Sequence, residues 1–487
     1  MSILTPVFDP PAPVLEACIA SVLGQRSPQW EWCIVDDGST APHVRAQLDA
    51  LAIADQRVRV HRRDRNGGIV AATNDALAMA TAPIVTFLDH DDELTDDAVE
   101  VLAAAFATDP AAGIVYSDEY LIDERGTSVA VYDKPDFSPE RLRGQNYFCH
   151  AVALDRRYLQ SVGGLSARCD GAQDYDCNLR AVEHFGRAVH VRRRLYRWRA
   201  IKGSVAADPE AKPSTLIGAE RAVRDHCART GIDAGITPVS DVAFSFRLHR
   251  TPRGAPLVSL LVRLVDDALP PIVGEVLREA QYSNIELVTL ADDRPMLDGV
   301  DEAAERARGE VIVVIDGDQR LRHGDLLGEL LPLAQEGDVA AVGPTLHLPD
   351  GRIAASGISF DGGPHPVGWG FPPAAIGAWG ALRVTREVSA IPALCFAARR
   401  STFLDLGGLR SAPSSRLAGA DYGKRALGAG MRVLVTPSCR VTVFAVEPPE
   451  PLSDAGQAAW DARWGEAADD EAFSLFERRT SVSVGAS

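Results

Sequence analysis

Ile84-Val85-Thr86-Phe87-Leu88-Asp89-His90-Asp91-Asp92 is a run of strand-forming residues that stops abruptly in carboxylates. A strand that ends this way delivers its charges to one point, just beyond its carboxyl end. The same pattern occurs upstream, where 32–35 runs into Asp36-Asp37-Gly38-Ser39, and further strand-like runs lie at 3–7 and 58–61. Helical stretches at 13–23, 44–52, 69–80 and 96–107 separate them. Alternation of this kind predicts an α/β fold, a mostly parallel sheet with helices on its faces. In such sheets ligands bind beyond the carboxyl ends of the strands, where both acidic clusters fall.

The chain has 487 residues, 46% of them hydrophobic, enough for two or three cores. The Pro/Gly/Arg-rich stretch 250–256 reads as a linker, giving a first domain at 1–245, a second at 256–450 and an acidic, Ala-rich tail at 451–487. Features repeat in order across the linker. Run 258–262 parallels 3–7, Asp292-Asp293 follows 285–290 as Asp36-Asp37 follows 32–35, and Asp316-Gly317-Asp318 follows 311–315. Leu406-Gly407-Gly408-Leu409 echoes Val162-Gly163-Gly164-Leu165, and Asp421 with Arg425 echoes Asp176 with Arg180. The expectation is a tandem duplication.

A net charge of −17 argues against nucleic acid or an anionic membrane as partner. The basic run Arg192, Arg193, Arg194, Arg197 and Arg199 is open to two readings, a phosphate contact or a solvated strand edge. Eight cysteines without C-x-x-C or zinc spacing read as reduced thiols. There is no signal-peptide pattern and no apolar run near the ~20 residues a membrane span requires, so a soluble, cytoplasmic protein is expected, with peripheral membrane or assembly-complex association and oligomeric state left open.

Three constellations carry chemistry. Asp89-His90-Asp91-Asp92 can hold Mg²⁺ or Mn²⁺ through one or two carboxylates, or can simply cap and solvate a turn. Asp36-Asp37-Gly38-Ser39 can accept a base imide N–H or a ribose hydroxyl, or form an Asx turn. Arg63, Asn66, Gly67, Gly68 and Asn74 make a Gly-rich loop opening a helix, suited to phosphate or ribose oxygens or to ordinary capping. Neither a G-x-G-x-x-G after the first strand nor a P-loop is present.

Together, residues 2–8, Val35-Asp36-Asp37-Gly38-Ser39, Asn66-Gly67-Gly68 with Asn74, Phe87-Leu88-Asp89-His90-Asp91-Asp92, Tyr116-Ser117-Asp118-Glu119, Lys134-Pro135-Asp136, Gln145-Asn146-Tyr147, Val162-Gly163-Gly164-Leu165 and Gly171-Ala172-Gln173-Asp174 resemble the ordered motifs of family-two glycosyltransferases of the GT-A fold, over roughly residues 1 to 235. The nearest subgroup builds O-antigen and rhamnose-containing bacterial surface polysaccharides, often with tandem domains. The resemblance implies two GT-A domains and an inverting, metal-dependent transfer from a UDP- or dTDP-sugar, dTDP-rhamnose among them, to a glycan or lipid-linked glycan. It also implies site residues. Pro6, Phe8, Asp36, Asp37, Arg63, Asn66, Gly67, Asn74, Asp89 and His90 would hold the donor, Asp89 and Asp91 the metal, and Asp174 would be the base. Asn146, Tyr147, His150, Gly164 and Gln173 would line the acceptor side. Ile201 stands where the family usually keeps a histidine, with Arg199 or Lys202 able to supply charge instead.

In the second half Asp316, Asp318 and Asp421 outline a possible second site, but Asp292-Asp293-Arg294-Pro295 lacks the Gly-Ser ending and no Asn-Gly loop follows. A transferase of altered specificity and a degenerate domain are both compatible with that. Alternatives for the whole chain are a nucleotidyltransferase, which would release pyrophosphate, and a non-catalytic carbohydrate-binding or scaffolding subunit.

Overall fold

The structure, a computed structural model, describes residues 1–109, 111–200, 213–280, 282–290, 296–360, 363–444, 448 and 452–465. Ile201, Lys202, Asp292, Asp293 and residues 466–487 of the tail lie outside them. The chain divides into two compact units, 1–137 with 145–231, and 138–144 with the chain from 232 onward.

The first unit runs β1 (Ser2–Val7), α1 (Ala12–Leu23), β2 (Glu31–Asp36), α2 (Pro42–Ala54), β3 (Val58–Arg62), α3 (Ile69–Met79), β4 (Ile84–Phe87), β5 (Glu93–Leu94), α4 (Ala98–Thr108), β6 (Ile114–Ile122) and β7 (Ser128–Tyr132). After α5 (Pro139–Gly144), which belongs to the second unit, come β8 (Val152–Asp155), α6 (Arg156–Ser161), α7 (Gln173–Phe185), β9 (Val189–Arg199) and α8 (Pro213–Thr230). The sheet order is β3-β2-β1-β4-β8-β6-β9-β5, with β7 on β6. Strands β3, β2, β1 and β4 are parallel, so their carboxyl ends lie side by side. Strand β8 is antiparallel to both neighbours, which makes the sheet mixed rather than uniformly parallel.

The second unit contributes β10 (Ala234–Pro238), β11 (Phe246–Arg250), β12 (Val258–Val262), α9 (Pro271–Glu279), β13 (Ile285–Thr289), α10 (Met296–Arg306), β14 (Val311–Ile315), β15 (Gln319–His323), α11 (Leu326–Ala334) and β16 (Val339–His347). Short strands β17 (Ile353–Ala355), β18 (Ile358–Ser359), β19 (His365–Pro366) and β20 (Arg386–Glu387) precede β21 (Cys395–Arg399), α12 (Arg400–Asp405), α13 (Ala418–Gly428), β22 (Arg432–Val443) and α14 (Asp454–Trp464). Its sheet order, β13-β12-β14-β21-β16-β22-β15, repeats that of the first unit with one strand fewer at the β3 edge.

Side chains repeat as well as strands. Ser2 donates to Glu31 at 2.6 Å, and Ser259 to Glu286 at 2.6 Å. Asn74 on α3 accepts from the Leu165 N–H at 2.9 Å, and Asp301 on α10 accepts from the Leu409 N–H at 2.7 Å. Asp176 pairs with Arg180 at 2.8 Å and Asp421 with Arg425 at 3.0 Å, one helical turn apart in each case. These contacts hold the framework of a duplicated unit.

The first core is built from Ile3, Trp32, Ile34, Val44, Leu48 and Leu102 among others, the second from Val258, Leu260, Val313, Leu327 and Leu330. The apolar stripe of α2, Val44, Leu48 and Leu51, covers the first sheet near β2. Among the described residues no helix and strand of this kind stand between β13 and α10, and Leu269, Leu277 and Leu287 stand exposed around a groove of about 550 Å³ beside α9 and β13.

The basic run is committed internally. Arg192 binds Asp136 at 2.6 Å, Arg194 binds Asp133 at 2.6 Å, and Arg193 binds Asp97. With Arg199, which binds Glu93, these arginines lace β9 to neighbouring segments, and Arg197 lies over the Tyr120 ring. All eight cysteines are free, seven of them buried. Among the described residues no helix is long and apolar enough to cross a membrane. The tail expected from 451 begins with a packed helix: Trp460 of α14 is buried against Phe360, Leu417 and Ala420.

In the second unit Glu140 of α5 is buried and meets Arg143 at 2.5 Å, Arg250 at 2.6 Å and Arg432 at 3.4 Å. Burial works to raise its pKa, but the charges of Arg250, Arg143 and Arg432 outweigh it and hold the carboxyl well below the usual range. A depressed carboxyl contributes stability that is present above the unfolded pKa of about 4.3 and is lost as pH falls. Glu140→Gln is expected to cost this unit about 3–5 kcal/mol at neutral pH and to flatten its loss of stability below about pH 5, measured by denaturant unfolding across that range.

Candidate active site

The parallel strands bring the sequence-predicted clusters to one rim. Asp37, just past β2, accepts from the Gly67 and Gly68 N–H groups at 2.9 and 2.8 Å and pairs with Arg63 at 2.9 Å. Arg63 also binds Asp75. Asp36 accepts from the Ser39 N–H at 2.9 Å and lies 3.6 Å from Arg62. Gly38 has φ +77° and the 65–66 backbone lies 2.9 Å from where a Cβ would stand, so only glycine lets the two loops meet. Asn66 accepts from the Gly68 N–H at 3.0 Å and is itself exposed. These residues form one braced loop pair whose outer edge, with the half-exposed Phe8, faces solvent. Asn74 is spent differently: its amide bonds both the N–H and the C=O of Leu165, and Gly164 packs directly on it. Pro6 is buried and its carbonyl lies 3.1 Å from His90 Nδ1.

The acidic turn is fixed from behind. Asp92 accepts from the Tyr196 hydroxyl and the Arg199 N–H, both at 2.7 Å. Arg199 also donates to the Asp91 carbonyl at 2.8 Å and binds Glu93, and the Asp89 N–H donates to the Tyr196 hydroxyl at 3.2 Å. With Asp92 satisfied, the Asp89 and Asp91 carboxylates are left with no hydrogen-bond partner among the described residues. Burial, then the Asp91 charge, raises the Asp89 pKa, and Asp174 adds to the effect.

Asp174 is the second residue of α7, beside the acidic turn. Burial raises its pKa, the His150 charge and hydrogen bonds lower it, and burial prevails. Asn146 donates to it at 2.8 Å and accepts from Asn178 at 3.1 Å, fixing its orientation. Gln173 precedes it with a buried Oε1 that has no partner among the described residues. Tyr147 is a core side chain, edge-on to Tyr116 and Phe148.

His150 converges with Asp89 and Asp92: one ligating atom from each lies within 4.8 Å of the others, a grouping able to hold a metal ion. Burial lowers its pKa, but Glu119, Asp92 and Asp89 outweigh this and raise it to about 9. Asp91 is not part of that grouping. The resemblance implies an acceptor-side place for His150 and a metal role for Asp89 and Asp91, with Asp92 entering only as a member of the acidic cluster. No local sequence signal joins positions about sixty residues apart; the β4–β8 pairing does.

Lys134 underlies the arrangement. Its fully buried ammonium donates to the carbonyls of Ser117 and Phe148, both at 2.6 Å, and of His150, with Glu119 at 3.5 Å as counter-charge. His190 links Asp118 and Asp136 at 2.9 Å each on the same face.

The second unit keeps the framework contacts and differs at the positions of the acidic turn. The pairings Ile84 with Asp155 and Val311 with Arg399 place Asp316, Gly317, Asp318 and Gln319 at the positions of Asp89, His90, Asp91 and Asp92, and Leu394 at that of His150. Asp316 is paired with Arg263, and Asp318 is exposed. Asp421 does not stand at the base position. It matches Asp176, bound by Arg425, by Arg463 at 2.5 Å and by the Trp464 indole at 3.1 Å. The residue matching Asp174 is Gly419, where a Cβ would lie 1.9 Å from the Ile391 carbonyl oxygen, leaving space for no side chain.

Residues 2–152 match the family described as Glycosyl transferase family 2. The chain is 33% identical to protein y4gI of Sinorhizobium fredii over 84% of this chain and 49% of that protein. It is 30% identical to the O-antigen biosynthesis protein RfbC of Myxococcus xanthus over 91% of this chain and 37% of that one. It thus spans about half the length, or less, of these relatives. Among solved structures it is similar to the mannosyltransferase PcManGT from Pyrobaculum calidifontis in complex with GDP-Man and Mn²⁺, at 18% identity and a TM-score of 0.37, over 46% of this chain and 64% of that one.

Replacing Lys134 by Met leaves buried carbonyls and Glu119 without their cation and is expected to cost the first unit about 3–5 kcal/mol in denaturant unfolding. Lys134→Arg should not restore it, because a planar guanidinium does not fit three carbonyls converging on one point.

Proposed function

We propose, from the premise that residues 2–152 form a glycosyl transferase family 2 domain, that the first unit transfers a sugar from a nucleotide-diphosphate sugar to a hydroxyl of a glycan or lipid-linked glycan, with inversion, in the synthesis of a bacterial surface polysaccharide. The similarity to an O-antigen biosynthesis protein along most of this chain supports the polysaccharide role. UDP- and dTDP-sugars are the donors proposed. The observation that carries the reading is the convergence, on one rim, of two carboxylates without hydrogen-bond partners among the described residues, Asp89 and Asp91, with the oriented carboxylate of Asp174.

In this reading the braced loops of Asp36, Asp37, Arg63, Asn66 and Gly67 receive base and ribose, the remaining lone pairs of Asp37 and the exposed Asn66 amide being the groups left to do so. The acceptor oxygen forms its bond to the anomeric carbon while the bond from that carbon to the diphosphate oxygen breaks, and the acceptor proton passes to Asp174. Burial makes Asp174 a stronger base than a solvated carboxylate, and the Asn146 amide aims it. Asp89 and Asp91, the carboxylates without a hydrogen-bond partner among the described residues, would hold a Mg²⁺ or Mn²⁺ ion, which when bound neutralises charge on the departing diphosphate. The second unit is proposed to be non-catalytic, on the ground that Gly419 stands at the position of Asp174, Asp316 and Asp421 are internally paired and Asp318 is exposed.

Incubation with a panel of UDP- and dTDP-sugars, Mn²⁺ and a glycan acceptor should release nucleotide diphosphate and not pyrophosphate. Asp174→Asn is expected to lower kcat by about 10²–10⁴-fold with nucleotide affinity little changed. Asp318→Ala should leave turnover as it is. Equal turnover in wild type and Asp174→Asn would overturn the base assignment, and a loss of turnover in Asp318→Ala would overturn the silent second unit.

A further inference from the structure

A sheet that places a histidine against two carboxylates raises the question of what the imidazole faces. The ligating atoms of Asp89, Asp92 and His150 lie within 4.8 Å of one another. Ligands around an octahedral ion with bonds of 2.0–2.1 Å stand roughly 3 Å apart when adjacent and roughly 4 Å when opposite, so the spacing suits one shared ion. The three differ in availability. Both oxygens of Asp92 already accept hydrogen bonds, from the Tyr196 hydroxyl and the Arg199 N–H, whereas the Asp89 carboxylate accepts none among the described residues.

His150 is oriented by two independent restraints. Its Nδ1 lies 3.3 Å from Glu119 Oε2, an oxygen that also accepts the His150 backbone N–H at 3.0 Å and lies 3.5 Å from the Lys134 ammonium. A carboxylate beside Nδ1 favours the proton on that nitrogen, so that a cation displacing the Nε2 proton meets the lone pair there, the arrangement by which carboxylates orient metal-binding histidines. The ring is also stacked on Tyr196, with centroids 4.6 Å apart and planes within 16°. That same tyrosine, through its hydroxyl, positions Asp92 and the Asp89 backbone. One side chain therefore sets the imidazole plane and the acidic turn together. In the second unit, where Leu394 replaces the histidine, Gln319 replaces Asp92 and its amide bonds the Leu394 carbonyl at 2.8 Å, so imidazole and carboxylate are absent together.

We propose that His150 is a direct nitrogen ligand of the divalent cation, through Nε2, with Asp89 as its carboxylate partner, Asp92 in a supporting position, and Glu119 and Lys134 as the residues that set its tautomer and place. The assignment moves His150 from the acceptor side to the donor side of the site and gives the cation a mixed oxygen and nitrogen shell. It rests on the donor-site reading of the first unit.

The test uses the full chain with Mn²⁺ and, in separate arms, UDP and dTDP, read by pulsed electron paramagnetic resonance of the bound Mn²⁺. Wild type should show the ¹⁴N modulation of a coordinated imidazole, and His150→Gln should lose it while its Mn²⁺ affinity falls about tenfold or more. Glu119→Gln, which keeps the ring but not the charge that orients it, should retain ¹⁴N coupling with weaker Mn²⁺ binding. Wild type that binds Mn²⁺ and nucleotide without ¹⁴N modulation would overturn the ligand and leave the donor site standing. Persistence of the modulation in His150→Gln would overturn it too. Wild type that binds no Mn²⁺ with either nucleotide would remove the donor-site reading as well. Should His150→Gln fail to fold, the wild-type spectrum decides by itself.

Discussion

A lysine ammonium with no exposure to water holds the first unit's site together. Lys134 reaches in from the segment after β7 and bonds carbonyls on β6 and on the loop leading into β8, with Glu119 as counter-ion. An ammonium removed from water is tolerated only where its donors are met and its charge is balanced, so the segments that meet it have little freedom to move apart. Those segments carry Glu119, Asn146 and His150. From His150 the constraint passes to Tyr196, from Tyr196 to Asp92 and the Asp89 backbone, and Arg199 closes the turn from below. The acidic turn at the end of β4 is thus braced by side chains from β9, themselves packed on a loop pinned by one cation.

The two units separate what a fold needs from what a site needs. Both keep the Ser–Glu contact at the sheet edge, the clasp from the helix before β4 or β14 to the Gly-Gly-Leu turn, and the Asp–Arg pair one turn into the following helix. These contacts are internal, and each loss would leave buried polar groups unmet. Only the first unit keeps Asp92, His150 and Asp174. In the second, Gln319, Leu394 and Gly419 fill those places, Arg263 neutralises Asp316, and the Gly419 backbone closes on Ile391. Packing has taken over the space that the Asp174 side chain occupies in the first unit.

The same comparison shows why one spacing misleads. Asp421 is among the residues that outline a possible second site, yet it lies 13 residues beyond Gly408 where Asp174 lies 10 beyond Gly164. Its guanidinium partners show that it is the structural aspartate instead, two residues further along the helix. Position along a helix changes direction by about 100° per residue, so a two-residue offset turns a side chain from the rim to the interior.

Strand-forming runs that end in carboxylates, with helices between them, determined by themselves that this is a doubled α/β chain, because hydrophobic periodicity and strand-end charge are local properties. They also put Asp36, Asp37, Asp89 and Asp91 at the carboxyl ends of strands in one parallel set, since parallel order follows from alternating strands and helices. Which of these carboxylates is already satisfied and which is open was decided only by tertiary structure. Asp37 braces the Gly67 and Gly68 N–H groups with one oxygen each, Asp92 accepts from Tyr196 and Arg199, and His150 stands beside Asp89. Each of those facts joins residues 30 to more than 100 positions apart through an antiparallel strand, a loop crossing or a buried charge, and a sequence holds no local trace of the partner that a side chain will find.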